Sequence, residues 1–155
     1  MTLALAFFIG LLTGGRAFLA IALVAWSAAF GWLDAAGTAL GWLGAPAPAA
    51  ILTLLAMGEL YGDKQASMGN RTARAPLAAR IVLGALAGGL VALGASVTAS
   101  PWAGAAMGAL GAAIGTFATF RLRAWLATRL GRDLRAALIE DALLIAGIVA
   151  VVALA

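Results

Sequence analysis

About five apolar stretches, separated by short polar or proline-containing connections, determine what this chain can fold into. They cover approximately residues 2–30, 48–62, 76–99, 102–120 and 134–154. A helix needs about 20 apolar residues to cross a bilayer, and helices satisfy their own backbone polar groups there. The 155 residues are 65% hydrophobic and 10% charged, whereas soluble domains carry about a quarter charged residues. The sequence therefore predicts one all-α integral membrane helical bundle, with about five transmembrane helices and short interfacial helices.

The connections predict how this bundle lies in the membrane. The tryptophan-bearing connector from Phe30 to Pro48 and the basic segment from Arg121 to Arg135 are both typical of helices at the membrane surface. Lysine and arginine are concentrated in the second-to-third and fourth-to-fifth connections. Because positive loops stay in the cytoplasm, five alternating spans predict a cytoplasmic N-terminus in a multi-pass protein of the bacterial inner membrane.

The first apolar stretch contains an arginine near its middle. Arg16 follows Gly14 and Gly15, and a charge at this depth must face protein, water or a local break in the helix. Paired glycines make such a break plausible because they tolerate unusual backbone angles. A signal peptide is the alternative interpretation, but the first sixteen residues are too apolar for its basic n-region.

Charged residues at the edges of the apolar stretches form the candidate site. In the predicted topology they fall in the cytoplasmic third of the bilayer, with Arg16 deeper. Two interpretations stay open: a structural cluster of ion pairs, or a vestibule that binds an ion or relays protons. The predicted cluster comprises Arg16, Glu59, Asp63, Lys64, Arg80, Arg121, Glu140 and Asp141.

The remaining arginines are predicted to contact anionic lipid headgroups on the cytoplasmic side, namely Arg123, Arg129, Arg132 and Arg135. The net charge of +4 is explained by these membrane contacts, so nucleic acid is not an expected partner. The absence of cysteine and histidine excludes thiolate and imidazole metal sites. We expect no cofactor, no metal and no enzymatic activity, since Mg²⁺-dependent phosphotransfer to a lipid would need a denser set of aspartates.

Glycine recurs at four-residue spacing in several of the stretches, as in Gly10/Gly14, Gly58/Gly62 and Gly84/Gly88. This spacing lets helix backbones approach closely. Close packing inside one bundle is the favoured interpretation, and a homodimer interface is the alternative.

Several motifs in order along the chain resemble the small bacterial membrane proteins grouped as domain of unknown function 4126. The similarity covers nearly the whole chain, and the family implies an inner-membrane location without an established activity. The motifs that carry it are Thr13-Gly14-Gly15-Arg16-Ala17-Phe18, Gly58-Glu59-Leu60-Tyr61-Gly62-Asp63-Lys64 with Arg71-Thr72, Ala79-Arg80 before Gly84-Ala85-Leu86-Ala87-Gly88, and Glu140-Asp141-Ala142-Leu143.

Two functions follow as hypotheses. The first is a small membrane protein that transports or binds an ion or a small solute at the charged cluster. The second is a non-catalytic accessory or scaffold protein, as a homodimer or as a subunit of a larger membrane complex, in which the charges are structural ion pairs.

Overall fold

A computed structural model describes residues 1–62, 73–95, 100–130 and 133–155. These residues form an all-α bundle, and no strand occurs in these four ranges. Within these ranges six α-helices follow one another, with a short 3-10 helix, Gly41–Gly44, between the second and the third. They are α1 (Thr2–Gly15), α2 (Ala17–Ala29), α3 (Pro46–Gly62), α4 (Arg74–Ala95), α5 (Pro101–Leu130) and α6 (Asp133–Ala153).

Three of these helices are long and apolar enough to cross a membrane, over Arg74–Ala95, Pro101–Arg129 and Arg135–Ala153. The bundle is therefore that of an integral membrane protein, as the sequence predicts. The helices α1 and α2 are apolar but shorter, with 14 and 13 residues.

Two predicted interfacial helices differ from the structure. The segment after Phe120 is not a separate surface helix, because α5 continues unbroken to Leu130 and no glycine or proline between Gly115 and Gly131 interrupts it. The connector after α2 contains turns and the 3-10 helix instead of an α-helix. The connector has turns at Gly31 and Gly37, which adopt positive φ angles of 76° and 72°.

The first apolar stretch is divided at Arg16. This residue has extended backbone angles, φ −136° and ψ 92°, between the end of α1 and the start of α2. The sequence predicts one span over residues 2–30, but the structure has two helices that meet at this break.

The two helices run in opposite directions. α1 runs parallel to α5, since Gly10 lies against Gly108 and Gly15 lies against Thr119. α5 is antiparallel to α4, because Gly84 lies against Ala112 whereas Ala92, later in α4, lies against Gly104, earlier in α5. α1 is therefore antiparallel to α4.

α2 instead runs parallel to α4. Its first residues share the carboxylate of Glu59 with Arg80 near the start of α4, and Leu33, just after α2, contacts Gly94 near the end of α4. α1 and α2 thus form a helical hairpin with Arg16 at its tip.

The bundle has two ends. One end, the tryptophan end, carries Trp32, Trp42 and Trp102. The other end, the cluster end, carries the last residues of α3 and the first residues of α4.

The core of the bundle is built on glycine. A Cβ at Gly10 would overlap the carbonyl oxygen of Gly108, and a Cβ at Gly108 would overlap that of Gly84. The backbones of α1, α4 and α5 therefore touch directly at these positions, as predicted for close packing inside one bundle. Gly58 differs, because a Cβ there would meet nothing within 4 Å.

Candidate functional site

The tip of the α1–α2 hairpin places a charged side chain inside the bundle. The side chain of Arg16 is completely buried, with 0% exposure. Its Nε donates a hydrogen bond of 2.7 Å to Oδ1 of Asp141 on α6. A buried guanidinium needs such a partner because its desolvation would otherwise cost several kcal/mol, as a rough estimate. The break in the helix therefore coincides with an ion pair that joins it to the last helix.

A second carboxylate, that of Glu59, caps the start of α2. The backbone N–H groups of Ala17 and Phe18 donate to Oε1 and Oε2 of Glu59, at 2.9 and 3.0 Å. The first N–H groups of a helix have no partner inside the helix, and its N-terminus carries a partial positive charge. Glu59, on α3, thus satisfies two of these donors with one anionic group.

Glu59 also contacts a cation. The guanidinium of Arg80 on α4 lies 3.6 Å from Oε1 of Glu59. One carboxylate therefore connects α2, α3 and α4.

The third ion pair lies next to the first along α6. Oε2 of Glu140 accepts a hydrogen bond of 3.4 Å from Arg123 on α5. Glu140 is 1% exposed as a side chain. Because successive helical residues point about 100° apart, Glu140 and Asp141 reach different partners. Together the three pairs involve α3, α4, α5, α6 and the Arg16 junction between α1 and α2.

The structure corrects one assignment within the basic segment. Arg121, predicted to belong to the cluster, is exposed, whereas Arg123, predicted to contact headgroups, pairs with Glu140. Two positions along a helix rotate a side chain by about 200°, so these residues face opposite sides of α5. The sequence indicates the right segment but not which of the two faces the bundle.

The other predicted residues divide into two groups. Arg129 and Arg135 are exposed near the cluster end, and the guanidinium of Arg129 lies 5.6 Å from the centre of the Trp125 ring. Exposed arginines beside tryptophan are typical of membrane interfaces. The predicted residues Asp63, Lys64 and Arg132 lie outside the residues that the structure describes.

The cluster lies well inside the length of the surrounding helices. α2 has 13 residues and is therefore about 20 Å long, which separates Arg16 from the tryptophan end. Towards the cluster end, α4 begins about 9 Å before Arg80 and α6 begins about 12 Å before Asp141. The hairpin therefore stops short of the cluster end, and its tip is surrounded by helices that continue past it.

Burial within the cluster is graded. The side chains of Arg16 and Glu140 have 0% and 1% exposure, whereas those of Arg80, Asp141, Glu59 and Arg123 retain 9%, 10%, 12% and 13%. Each of the three pairs thus has at least one member that is partly reached from outside. Towards the tryptophan end the interior becomes apolar, with Ile9, Ile21, Val24, Leu90 and Val91 fully buried.

The chemistry available here is electrostatic. Three arginines pair with three carboxylates, namely Arg16 with Asp141, Arg80 with Glu59 and Arg123 with Glu140. Within the described ranges, no group of three potential metal ligands comes together. Such a cluster can hold helices in register, exchange one of its charges for an external ion, or do both.

The sequence does not predict one polar contact between helices. Nε1 of Trp26 donates a hydrogen bond of 2.9 Å to Oγ1 of Thr53, which joins α2 to the middle of α3. A tryptophan in an apolar stretch has an N–H that needs a partner when buried. That requirement is a signal in the sequence, but it does not identify Thr53.

Fold and site together define a class of protein: a small all-α membrane bundle with a buried helical hairpin and an internal ion-pair cluster at its tip. Comparison with known proteins finds no family model, no curated protein and no solved structure that matches this chain. The resemblance to domain of unknown function 4126 therefore stays a prediction.

Proposed function

We propose that the protein binds an ion or a small charged solute at the cluster and moves it across the bacterial inner membrane. The observation that carries this proposal is the break at Arg16, which puts an arginine and the ends of two half-length helices inside a membrane bundle. An unbroken helix would satisfy its own backbone and would need no buried arginine at this depth. Interrupted helices with charged residues at the break are typical of ion and substrate sites in transporters.

The proposed orientation puts the cluster end in the cytoplasm. Arg74, Arg121 and Arg129 lie at this end, and positive segments are retained inside. Because α1 starts at the tryptophan end, this orientation places the N-terminus outside, in place of the cytoplasmic N-terminus predicted from five spans. The exposed Arg129 and Arg135 would then contact anionic headgroups of the inner leaflet.

Access to the site would be from the cytoplasm. Asp141, Glu59, Arg80 and Arg123 are partly exposed, whereas Arg16 is fully buried behind its partner Asp141. An ion that enters would replace one partner of a pair instead of entering an empty cavity. The apolar interior between the cluster and the tryptophan end requires a conformational change before any ion could leave on that side.

A double substitution separates this function from a purely structural role. Replacing Arg16 and Asp141 together by Met and Leu removes the buried pair but leaves no unpaired charge, a change that is often neutral for stability. The protein is reconstituted into liposomes, and fluxes of Na⁺, K⁺, Cl⁻, phosphate and H⁺ are measured. We expect the double variant to fold and to lose the flux that the unsubstituted protein shows. The matched control is Arg121→Gln, which removes an exposed arginine outside the cluster.

A second candidate function is favoured by the ion pairing within the cluster. Each of its three carboxylates lies within 4 Å of an arginine, as expected of charges that only hold the helices together. The protein would then be an accessory or scaffold protein, as a homodimer or as a subunit of a larger membrane complex. Absence of flux for all five ions, together with a partner that co-purifies with the double variant as with the unsubstituted protein, would favour this alternative.

A further inference from the structure

The helix α3 is attached to the bundle in an unusual way. Its extensive helix contact is with α2, and its buried residues are the two alanines Ala49 and Ala56. Its large side chains, including Ile51, Leu54, Met57 and Tyr61, are mostly exposed. In lipid these side chains gain nothing by turning inward, because the surroundings are as apolar as the protein. The contacts of Ala49 and Ala56, the partly buried Leu52 and the polar contacts therefore hold α3 in place.

The polar contacts of α3 are distributed unevenly along its length. Thr53, in the middle, accepts one hydrogen bond from Trp26. Glu59, near the cluster end, accepts two from the backbone of α2 and pairs with Arg80. Hydrogen bonds to a charged group are roughly twice as strong as neutral ones, so most of the polar attachment is concentrated in one side chain.

The other end of α3 has the features of a hinge. Ala45 is extended, with φ −77° and ψ 146°, between the 3-10 helix and Pro46. The 3-10 helix itself is anchored, since Leu43 is buried and a Cβ at Gly44 would lie 2.9 Å from Cβ of Ala28. A small change of the Ala45 angles within the extended range that Pro46 allows would therefore move the far end of α3 while its preceding connector stays in place.

We propose that α3 is a hinged strap, fixed at the tryptophan end and latched at the cluster end by the carboxylate of Glu59. Opening of the latch separates Glu59 from Ala17, Phe18 and Arg80 and swings the half of α3 that carries Ala56 away from α2. The half that carries Ala49 stays in contact. The N–H groups at the start of α2 and the guanidinium of Arg80 become accessible from the cluster end. This motion is independent of whether the cluster binds an ion.

Cysteine accessibility tests this strap directly, because the chain has no cysteine of its own. The variants Ala49→Cys and Ala56→Cys place a thiol on the same buried face of α3, near the hinge and near the latch. Each is made with Glu59 intact and with Glu59→Gln, in the full chain in lipid nanodiscs. The rate of reaction with N-ethylmaleimide is then measured.

We expect Glu59→Gln to raise the reaction rate of the Ala56→Cys variant by about tenfold or more, since a charged hydrogen-bond acceptor is lost. The Ala49→Cys variant should change by less than about twofold, because its end of the helix stays packed. Thr53→Val is the matched control, as it removes the neutral hydrogen bond to Trp26 but leaves the latch. Equal increases at both positions, or no increase at Ala56→Cys, would overturn the proposal.

Hydrogen exchange of the unsubstituted protein provides a second readout if the variants unfold. An opening strap predicts that the amides of Ala17 and Phe18, which donate to Glu59, exchange faster than the amides from Ala20 onward in α2, which keep their acceptors inside the helix. Equal protection of Ala17, Phe18 and these later amides would contradict the proposal.

Discussion

The contact between α1, α4 and α5 and the contact between α2 and α3 show two ways of holding helices together in a membrane. In the first, glycines bring the backbones together, as where Gly10 and Gly84 both meet Gly108. In the second, polar groups on α3 bridge to α2, through Thr53 and Glu59. The first has large surfaces in direct contact, and the second has a few directed bonds.

The difference arises from what lipid allows. Because lipid tails are as apolar as leucine, helices associate through van der Waals packing and interhelical hydrogen bonds. Packed backbones have one arrangement, since any displacement opens gaps along the whole contact. A helix held by a few polar groups can be released by replacing their partners. The glycine contact is therefore expected to be rigid, and the α2–α3 contact is expected to be the part that moves.

The largest effect is expected at the centre of the glycine contact. Gly108→Leu should prevent correct folding, because its Cβ would overlap the carbonyl oxygen of Gly84 and overpacking of a tight core is strongly destabilising. The matched control is Gly58→Leu on α3, where a Cβ meets nothing within 4 Å. The two variants are compared by the yield of monodisperse protein and by thermal unfolding in detergent. Similar behaviour of the two variants would show that the close contact at Gly108 is not essential.

The composition and spacing of the sequence were sufficient to predict the glycine contact between helices. Runs of apolar residues predict helices whatever their partners, and glycine at four-residue spacing predicts close approach. The hairpin was not predicted, although a break was anticipated near Gly14 and Gly15. A break permits either a kink or a reversal, and the direction depends on whether α2 packs beside α4. That information lies in contacts such as Leu33 with Gly94, which are distant in the sequence.

The cluster was predicted for a different reason. Charges are so costly inside lipid that Arg16, Glu59, Arg80, Glu140 and Asp141 had to meet somewhere. Their pairing was not predictable, because three arginines and three carboxylates can pair in several ways.

The second prediction tests whether the buried pair behaves as a unit. Arg16→Met alone takes from Asp141 its partner at the hairpin tip, and loss of one member of a buried pair costs about 3–5 kcal/mol of unfolding free energy. The double variant of Arg16→Met with Asp141→Leu should recover most of this loss. Equilibrium unfolding in mixed micelles measures the unfolding free energies of the single and the double variant. A double variant no more stable than the single one would indicate that further groups depend on Arg16.

The third prediction compares the two kinds of polar attachment on α3. Glu59→Ala removes both acceptors at the start of α2 and leaves Arg80 without this partner, which should cost about 2–3 kcal/mol. Thr53→Val removes one neutral hydrogen bond and should cost about 1 kcal/mol. Thermal unfolding curves recorded under identical detergent conditions show which of the two variants loses more stability. Equal losses would mean that Glu59 has no special part in holding α3.

The smallest expected effect concerns two arginines on opposite faces of α5. Arg123→Gln weakens the contact with the buried Glu140 and should destabilise the protein by about 1.5 kcal/mol, the lower end of the range for hydrogen bonds to charged groups, because this contact is long, at 3.4 Å. Arg121→Gln changes an exposed side chain and should stay within about 0.5 kcal/mol. Both variants lose one positive charge, so any general effect of net charge cancels between them. A larger loss for Arg121→Gln would mean that the exposed face of α5 is in contact with something that stabilises the fold, such as anionic headgroups. Repeating the pair with and without anionic lipid then separates a contact with headgroups from a contact within the bundle.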